Sequence, residues 1–205
     1  MFFESILPVA LAFLVVTASP GPAIIAVSLV TLQRGRKDGL LFGLGLAVGL
    51  GFWGLIAATG LGVLLQSSAQ ALIALKIIGG LYLFWLAWQS FRSSMNPRQT
   101  AAKLSSKGRW LWKGLLLNLS NPKAVFAWMA ALSMGLGNDA SGALIAISTT
   151  LCITIGLLTY GVYALAFSLP GIMEGYRRIR RSVDAVVAGL FAVAGLGLIR
   201  SAVSR

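Results

Sequence analysis

Long apolar runs with few charged residues recur along this chain and are separated by shorter polar segments. A run of about 18 or more such residues is long enough to cross a lipid bilayer as an α-helix. We identify six of these runs and number them spans 1 to 6. They lie at about residues 5–31, 39–65, 69–91, 111–136, 141–168 and 183–202. The pattern predicts an all-α polytopic membrane protein with six transmembrane helices.

The composition strengthens this prediction and argues against several other classes. Only 11% of the residues are charged, whereas about a quarter are charged in soluble domains. The chain has no histidine, and Cys152 is its single cysteine. A membrane thiol–disulfide carrier needs two cysteines, and a divalent-metal exporter needs clustered His, Cys or carboxylate ligands. No positively charged segment precedes span 1, so we expect this span to be retained rather than cleaved as a signal peptide.

Basic residues are concentrated in three of the connections between the predicted spans. They lie between spans 1 and 2, 3 and 4, and 5 and 6, whereas residues 67–68 and 137–139 include no Lys or Arg. Because cytoplasmic loops are enriched in Lys and Arg, we expect the basic connections to be cytoplasmic and both termini to be periplasmic. Arg200 and Arg205 are exceptions to this pattern. The net charge of +12 then reflects topology and contact with lipid headgroups, and we expect no nucleic-acid partner.

A long polar linker at residues 92–110 divides a single transmembrane domain, 1–205, into two halves. The first repeat covers about 1–91 and the second about 111–205, with three spans in each. Since three is an odd number, the second half must cross the membrane in the opposite sense. Two inverted repeats of this kind are a common architecture of secondary transporters, in which the substrate binds near the membrane midplane.

A proline-containing motif interrupts the first span of each half. At about 1.5 Å per helical residue, Pro20 lies roughly 20 Å from the basic residues that follow span 1. Pro122 lies roughly 14 Å from those that precede span 4, so both prolines are near the midplane of a layer about 30 Å thick. Proline lacks an N–H group and clashes with the preceding helical turn. We therefore predict that spans 1 and 4 are broken near the midplane.

Each predicted break begins a new half-helix with a free N-terminus. Ser19 and Asn121 are good N-cap residues, and each is followed by a proline that suits the first helical position. The free N–H groups and the positive end of the helix dipole attract an anion such as a carboxylate. One proline alone is explained equally well by a structural kink, but two breaks at matching depth favour a binding site. The predicted substrate-binding residues are Ser19, Pro20, Gly21, Pro22, Asn118, Asn121, Pro122 and Lys123.

Four stretches of the sequence carry a family resemblance. They are PGP at 20–22, RGRKDG at 34–39, LSNPK at 119–123, and the residues Lys76, Gly79, Gly80 and Tyr82 in span 3. Together they resemble the LysE/RhtB family of bacterial lysine and homoserine–threonine exporters, over nearly the whole chain. The resemblance implies an inner-membrane protein that exports amino acids or their analogues. It also implies that a gradient of protons or another ion, rather than a cofactor, supplies the energy.

Four further residues are candidates for gating or coupling: Asp38, Lys76, Tyr82 and Asp184. Charged groups within a bilayer are costly and usually mark a transport pathway or an ion pair. Each charged candidate also has a plainer interpretation. Lys76 can extend to the membrane surface or form a salt bridge, Asp38 can be a solvated loop carboxylate, and Asp184 can be a favourable acid at a helix N-terminus.

The distribution of acidic residues bears on the substrate. Glu4, Asp139 and Asp184 are the acids in or beside the spans, and all lie near a span end. A cationic amino acid needs acidic partners in the membrane interior. The sequence therefore favours neutral amino acids such as homoserine, threonine or leucine-like compounds. Backbone carbonyls at half-helix ends can also hold an ammonium group, so export of basic amino acids or another small solute stays open.

No residue pattern indicates an enzyme, since the sequence offers no acid pair and no nucleophile–base spacing. A non-transport role in membrane assembly is the remaining alternative, although it leaves the two breaks unexplained. We expect alternating access around the breaks, with a small amino acid and the lipid bilayer as partners. The identity of the amino acid, the coupling ion and any homo-oligomer are left open.

Overall fold

The computed structural model describes residues 2–67, 69–95, 108–135 and 141–203, and the regular structure within these ranges is helical. Eight helices follow one another along them. They are α1 (Phe2–Ala18), α2 (Pro22–Arg34), α3 (Arg36–Ser67), α4 (Ala69–Met95), α5 (Trp110–Leu119), α6 (Pro122–Gly135), α7 (Gly142–Ala166) and α8 (Ile172–Val203).

Three helical segments within the described ranges are long and apolar enough to cross a membrane: Arg36–Gly60, Gly142–Ala166 and Arg178–Val203. The pair Ile6–Ala18 and Pro22–Arg34 makes a fourth span if it is counted as one, with a bend of 53° between its parts. The all-α membrane fold is thereby confirmed. The count of six spans stays a prediction, because α4 and the α5–α6 pair do not meet the same criteria within the described residues.

The two halves of the chain have the same succession of helices. Each begins with two short helices separated by a break and continues with two long ones. The first break comprises residues 19–21 and the second comprises residues 120–121. Both interruptions predicted from the prolines are therefore confirmed in position along the chain.

Close helix packing holds the two halves together. The long helices pair across the halves, α4 with α8 and α3 with α7, while α1 packs on α6 and α5 packs on α3. A Cβ atom on Gly80 of α4 would lie 3.0 Å from the carbonyl oxygen of Gly195 in α8. A Cβ on Gly195 would lie 2.9 Å from the carbonyl oxygen of Gly80. Glycine at both positions therefore allows these backbones to touch, as small residues do between membrane helices.

An aromatic core lies beneath the breaks. The rings of Phe13 in α1 and Trp128 in α6 have their centroids 4.5 Å apart, and both side chains are fully buried. The indole N–H of Trp128 donates to the carbonyl oxygen of Leu50 in α3 at 2.8 Å. These contacts fix α1, α3 and α6 relative to one another, and so fix the positions at which the broken helices end.

Three predicted boundaries are wrong. Residues 177–181 were expected in a connection with Asp184 beginning the next helix, but α8 begins at Ile172 and Asp184 lies three turns inside it. Asp38 was likewise assigned to a loop and lies in the first turn of α3. The charged residues 177–181 lie within α8, which begins directly after Pro170 and Gly171, the latter with φ +80°. The predicted linker also starts later, because α4 continues to Met95; residues 96–107 lie outside the described ranges.

Candidate substrate site at the two helix breaks

The first break leaves the N-terminus of α2 without a side-chain cap. Gly21, rather than the predicted Ser19, occupies the N-cap position, with extended φ and ψ of −171° and −179°. A residue that precedes proline is disfavoured in the helical region, so Gly21 stays extended and the helix begins at Pro22. The hydroxyl of Ser19 instead donates back to the carbonyl oxygen of Val16 at 2.7 Å. The assignment of Ser19 as a cap is therefore wrong.

The first turn of α2 borders a small cavity. The residues after Pro22, namely Ala23 and Ile24, belong to the first turn, where N–H groups have no partner within the helix. Both residues line a cavity of about 20 Å³, together with Lys123 and Tyr160. A cavity of this size holds about one water molecule. We call it the inner cavity.

The second break, by contrast, is capped by its own side chains. The Asn121 side-chain oxygen accepts a hydrogen bond from the backbone N–H of Lys123 at 3.1 Å, which confirms Asn121 as the N-cap of α6. Its amide nitrogen donates to the side-chain oxygen of Asn118 at 3.2 Å. Asn118 is fully buried and donates in turn to the carbonyl oxygen of Leu46 at 2.6 Å and to the hydroxyl of Tyr160 at 3.3 Å. The cap is thus part of a buried hydrogen-bond network between α3, α5 and α7.

Lys123 connects the second break to the first. Its ammonium group donates to the carbonyl oxygen of Ser19 at 2.8 Å and to the Ser19 hydroxyl at 2.5 Å. A Cβ atom on Gly21 would lie 3.0 Å from the same nitrogen. The ammonium group therefore lies between the end of α1 and the beginning of α2, beside the uncapped N–H groups.

Each break also receives a ring donor from the other half of the chain. The hydroxyl of Tyr163 in α7 donates to the carbonyl oxygen of Ala18 at 2.9 Å. The indole N–H of Trp53 in α3 donates to the carbonyl oxygen of Leu119 at 3.3 Å. Neither Tyr163 nor Trp53 is among the site residues predicted from the sequence.

A larger cleft also has Gly21 in its lining. It has a volume of about 250 Å³, and the break, α4 and α8 form its walls. Its lining residues are Pro20, Gly21, Pro22, Ile25, Gln89, Ser90, Arg180 and Asp184. Within it, Arg180 Nε lies 3.6 Å from Asp184 Oδ2. Sequence reasoning assigned Arg180 to a cytoplasmic loop and so missed it, although its spacing of four residues from Asp184 is the spacing of a helical ion pair.

Three of the predicted gating residues lie outside both cavities. Tyr82 stacks on Phe126 of α6 with centroids 4.0 Å apart, and Lys76 is buried in α4. Asp38 is half-buried at the start of α3. None of the three is among the described residues that line the inner cavity or the cleft. The structure therefore brings Asp184 to the first break but not the other three.

Comparison with known proteins identifies the family. A family model described as LysE type translocator matches residues 14–202. The chain belongs to this family. Its members are translocators rather than enzymes, which agrees at the family level with the expectation drawn from the sequence.

Two threonine efflux proteins match the chain over nearly its full length. The protein of Salmonella typhi is 34% identical over 199 residues, which cover 94% of this chain and 96% of the relative. The protein of Escherichia coli strain K12 is 32% identical over 200 residues, which cover 95% of this chain and 97% of the relative. A homoserine/homoserine lactone efflux protein of Salmonella typhimurium is 33% identical over 115 residues, which cover 56% of this chain and 55% of the relative. No solved structure matches.

Proposed function

We propose that this LysE type translocator exports neutral α-amino acids, with threonine as the first candidate, across the bacterial inner membrane. One observation carries the proposal: the ammonium group of Lys123 lies beside the uncapped N-terminus of α2. A lysine and free helix N–H groups together suit an anion. The anionic group common to all α-amino acids is the carboxylate, so this is where we place it.

The positions of the charges favour a substrate with an uncharged side chain. Within the described residues, Asp184 is the acid that reaches the first break, and it is paired with Arg180. The pair leaves no surplus negative charge to hold the side chain of lysine or arginine. The names of the relatives that match nearly the full length point in the same direction, because both are threonine efflux proteins.

The transport cycle that we propose is alternating access between two inverted repeats of three spans. The repeated succession of short and long helices supports it, as does the pairing of α4 with α8 and of α3 with α7. In this cycle both termini are periplasmic, the basic segments are cytoplasmic, and a proton or other ion gradient drives export. The inner cavity holds only about one water, so the substrate must widen it as the halves move.

Counterflow in liposomes tests this function. Liposomes that contain the purified protein and a large excess of unlabelled threonine should accumulate radiolabelled threonine from the medium. External homoserine should compete, whereas lysine and homoserine lactone, which lacks a free carboxylate, should not. Accumulation of labelled lysine without threonine would contradict the proposal, as would equal rates in protein-free liposomes.

A further inference from the structure

The cleft beside the first break has the size and the charges of a second binding site. Its volume of about 250 Å³ is more than ten times that of the inner cavity. The polar groups within it are Gln89, Ser90, Arg180 and Asp184. We call this cleft the outer site. Unlike the inner cavity, it has a volume large enough for a small amino acid.

The charged pair of the outer site is unusually sheltered. The side chain of Arg180 is 11% exposed and that of Asp184 is 1% exposed. A second pair on the same helix, Arg178 and Glu174, has the same spacing but is 78% and 61% exposed. Burying charged groups is costly, whereas an exposed ion pair contributes little to stability. The burial of Arg180 and Asp184 at a cleft therefore requires an explanation, and the exposed pair does not.

From this geometry we infer that the outer site is a loading site for a zwitterionic α-amino acid. The substrate carboxylate binds Arg180, and the substrate ammonium group binds Asp184, in place of the Nε–Oδ2 contact of 3.6 Å. The exchange leaves every charge with an opposite partner, which avoids the penalty for an unpaired buried charge. This inference rests on the proposed function, since it assumes that the substrate is a zwitterion.

The position of the outer site suits loading from the cytoplasm. Its walls on α4 and α8 lie next to basic residues, Arg92 and Arg181, that mark the cytoplasmic side under the proposed topology. The inner cavity is lined instead by residues of the α1 end, among them Val16 and Thr17. Gly21 is the one described residue that lines both, so the two cavities adjoin at the first break. A substrate that enters from the cytoplasm reaches the outer site first and then passes Gly21 towards Lys123.

Binding of radiolabelled threonine to the purified full-length protein in nanodiscs tests the outer site. The main variant is the double substitution Arg180→Gln with Asp184→Asn, which removes both charges and leaves neither one unpaired. Its matched control is Arg178→Gln with Glu174→Gln, which removes the exposed pair of α8. We expect the dissociation constant for threonine to rise about tenfold or more in the first variant and to change less than about twofold in the control.

A change of ligand separates binding from a purely structural role. The analogue 2,3-dihydroxybutyrate has a hydroxyl in place of the threonine ammonium group. Asp184→Asn should therefore weaken threonine binding about tenfold and leave the weaker binding of the analogue within about twofold of the wild type. The thermal unfolding midpoint of each variant shows whether it is folded, and Arg180→Lys, which keeps the charge, provides a milder second variant.

The outcomes distinguish failure of this inference from failure of the proposed function. If the wild-type protein shows no threonine counterflow, the proposed function fails first. If counterflow is present but the double variant binds threonine as tightly as the wild type, the outer site is overturned and the function stands. An equal loss of both ligands in Asp184→Asn also overturns it, because the carboxylate then only stabilises the fold. Unchanged threonine affinity with loss of gradient-driven export would make the pair a coupling element instead.

Discussion

The two helix breaks share a proline but differ in the residue before it. At the second break, Asn121 caps α6 and joins a buried network through Asn118. At the first break, Gly21 offers no side chain, and α2 begins uncapped beside the inner cavity. At the first break the N–H groups of α2 therefore stay available to a ligand. At the second break the N–H group of Lys123 already donates to the Asn121 side chain.

This difference suggests a division of labour between the two halves. The second break is a rigid support that positions Lys123, and the ammonium group of Lys123 reaches across to Ser19 at the first break. Under the proposed function, the first break is the part that receives the substrate. The two halves provide similar backbones, and the residue before the proline, Gly21 or Asn121, determines whether the helix N-terminus is left uncapped or is capped.

The largest effect is expected from Lys123→Met, which removes the ammonium group from the first break while keeping a side chain of similar length. Because a charge-assisted contact to the substrate carboxylate is lost, kcat/KM for threonine should fall about 100-fold. Initial rates of counterflow in liposomes measure this. Lys113→Gln is the matched control, since Lys113 lies 4.4 Å from the ring centroid of Trp110 and away from both cavities. An equal loss in the control would contradict the assignment.

The second-largest effect is expected from Gly21→Ser, which adds a side-chain cap to the N-terminus of α2. Ser at position 21 can accept hydrogen bonds from the first turn of α2, whereas Ala at the same position cannot. Both place a Cβ 3.0 Å from the Lys123 ammonium group, so their difference isolates the cap. Gly21→Ser should bind threonine about tenfold more weakly than Gly21→Ala and unfold at a higher temperature.

Another glycine provides a control for the two Gly21 variants. A Cβ on Gly161 of α7 meets no atom within 4 Å, so Gly161→Ala should leave threonine binding unchanged. If Gly21→Ser bound threonine as well as Gly21→Ala does, the N–H groups of α2 would not be part of the site.

A smaller effect is expected from Asn121→Ala, which makes the second break resemble the first. Loss of the cap should destabilise the protein by about 1 kcal/mol and lower kcat/KM about fivefold, because Lys123 is held less firmly. Thermal unfolding and counterflow measure the two effects together. Asn121→Ser, which retains a capping oxygen, should recover part of both. Loss of stability without any change in transport would show that this break does not position Lys123.

The smallest effect is expected from Ser19→Ala, since Lys123 keeps the carbonyl oxygen of Ser19 as a partner. The variant should lower kcat/KM about twofold, as one hydrogen bond contributes about 1 kcal/mol or less. Ser28→Ala is a matched control, because the buried hydroxyl of Ser28 has no hydrogen-bond partner among the described residues. A larger loss in Ser28→Ala than in Ser19→Ala would contradict this ordering.

Much of the fold could be predicted from local chemistry. Long apolar runs predicted the helices, and Pro20 and Pro122 predicted the two breaks, because proline restricts its own turn whatever surrounds it. The start of α8 could not be found from charge alone, since a helix can run through charged residues, and α8 begins directly after Pro170 and Gly171. The number of spans is beyond what local helix geometry settles, because it also requires the position of the lipid.

The sequence locates the two breaks but does not reveal how they differ in structure. Asn121 as a cap follows from local sequence, and Lys123 was expected to support a carboxylate. That Lys123 reaches Ser19 depends on packing of α1 against α6, which sequence spacing cannot reveal. The same holds for Arg180, whose inward position follows from the packing of α8 and not from its place in a basic cluster.

The most direct test of the account compares threonine with threoninol, in which a hydroxymethyl group replaces the carboxylate. The counterflow kcat/KM of both ligands should be measured for the wild type and for Lys123→Met, because transport requires passage through the inner cavity, whereas equilibrium binding also reports the outer site. If the carboxylate binds at the first break, the wild type should prefer threonine about 100-fold, and Lys123→Met should reduce this preference to about fivefold or less. A preference that is the same in both proteins would place the carboxylate elsewhere and contradict the central claim.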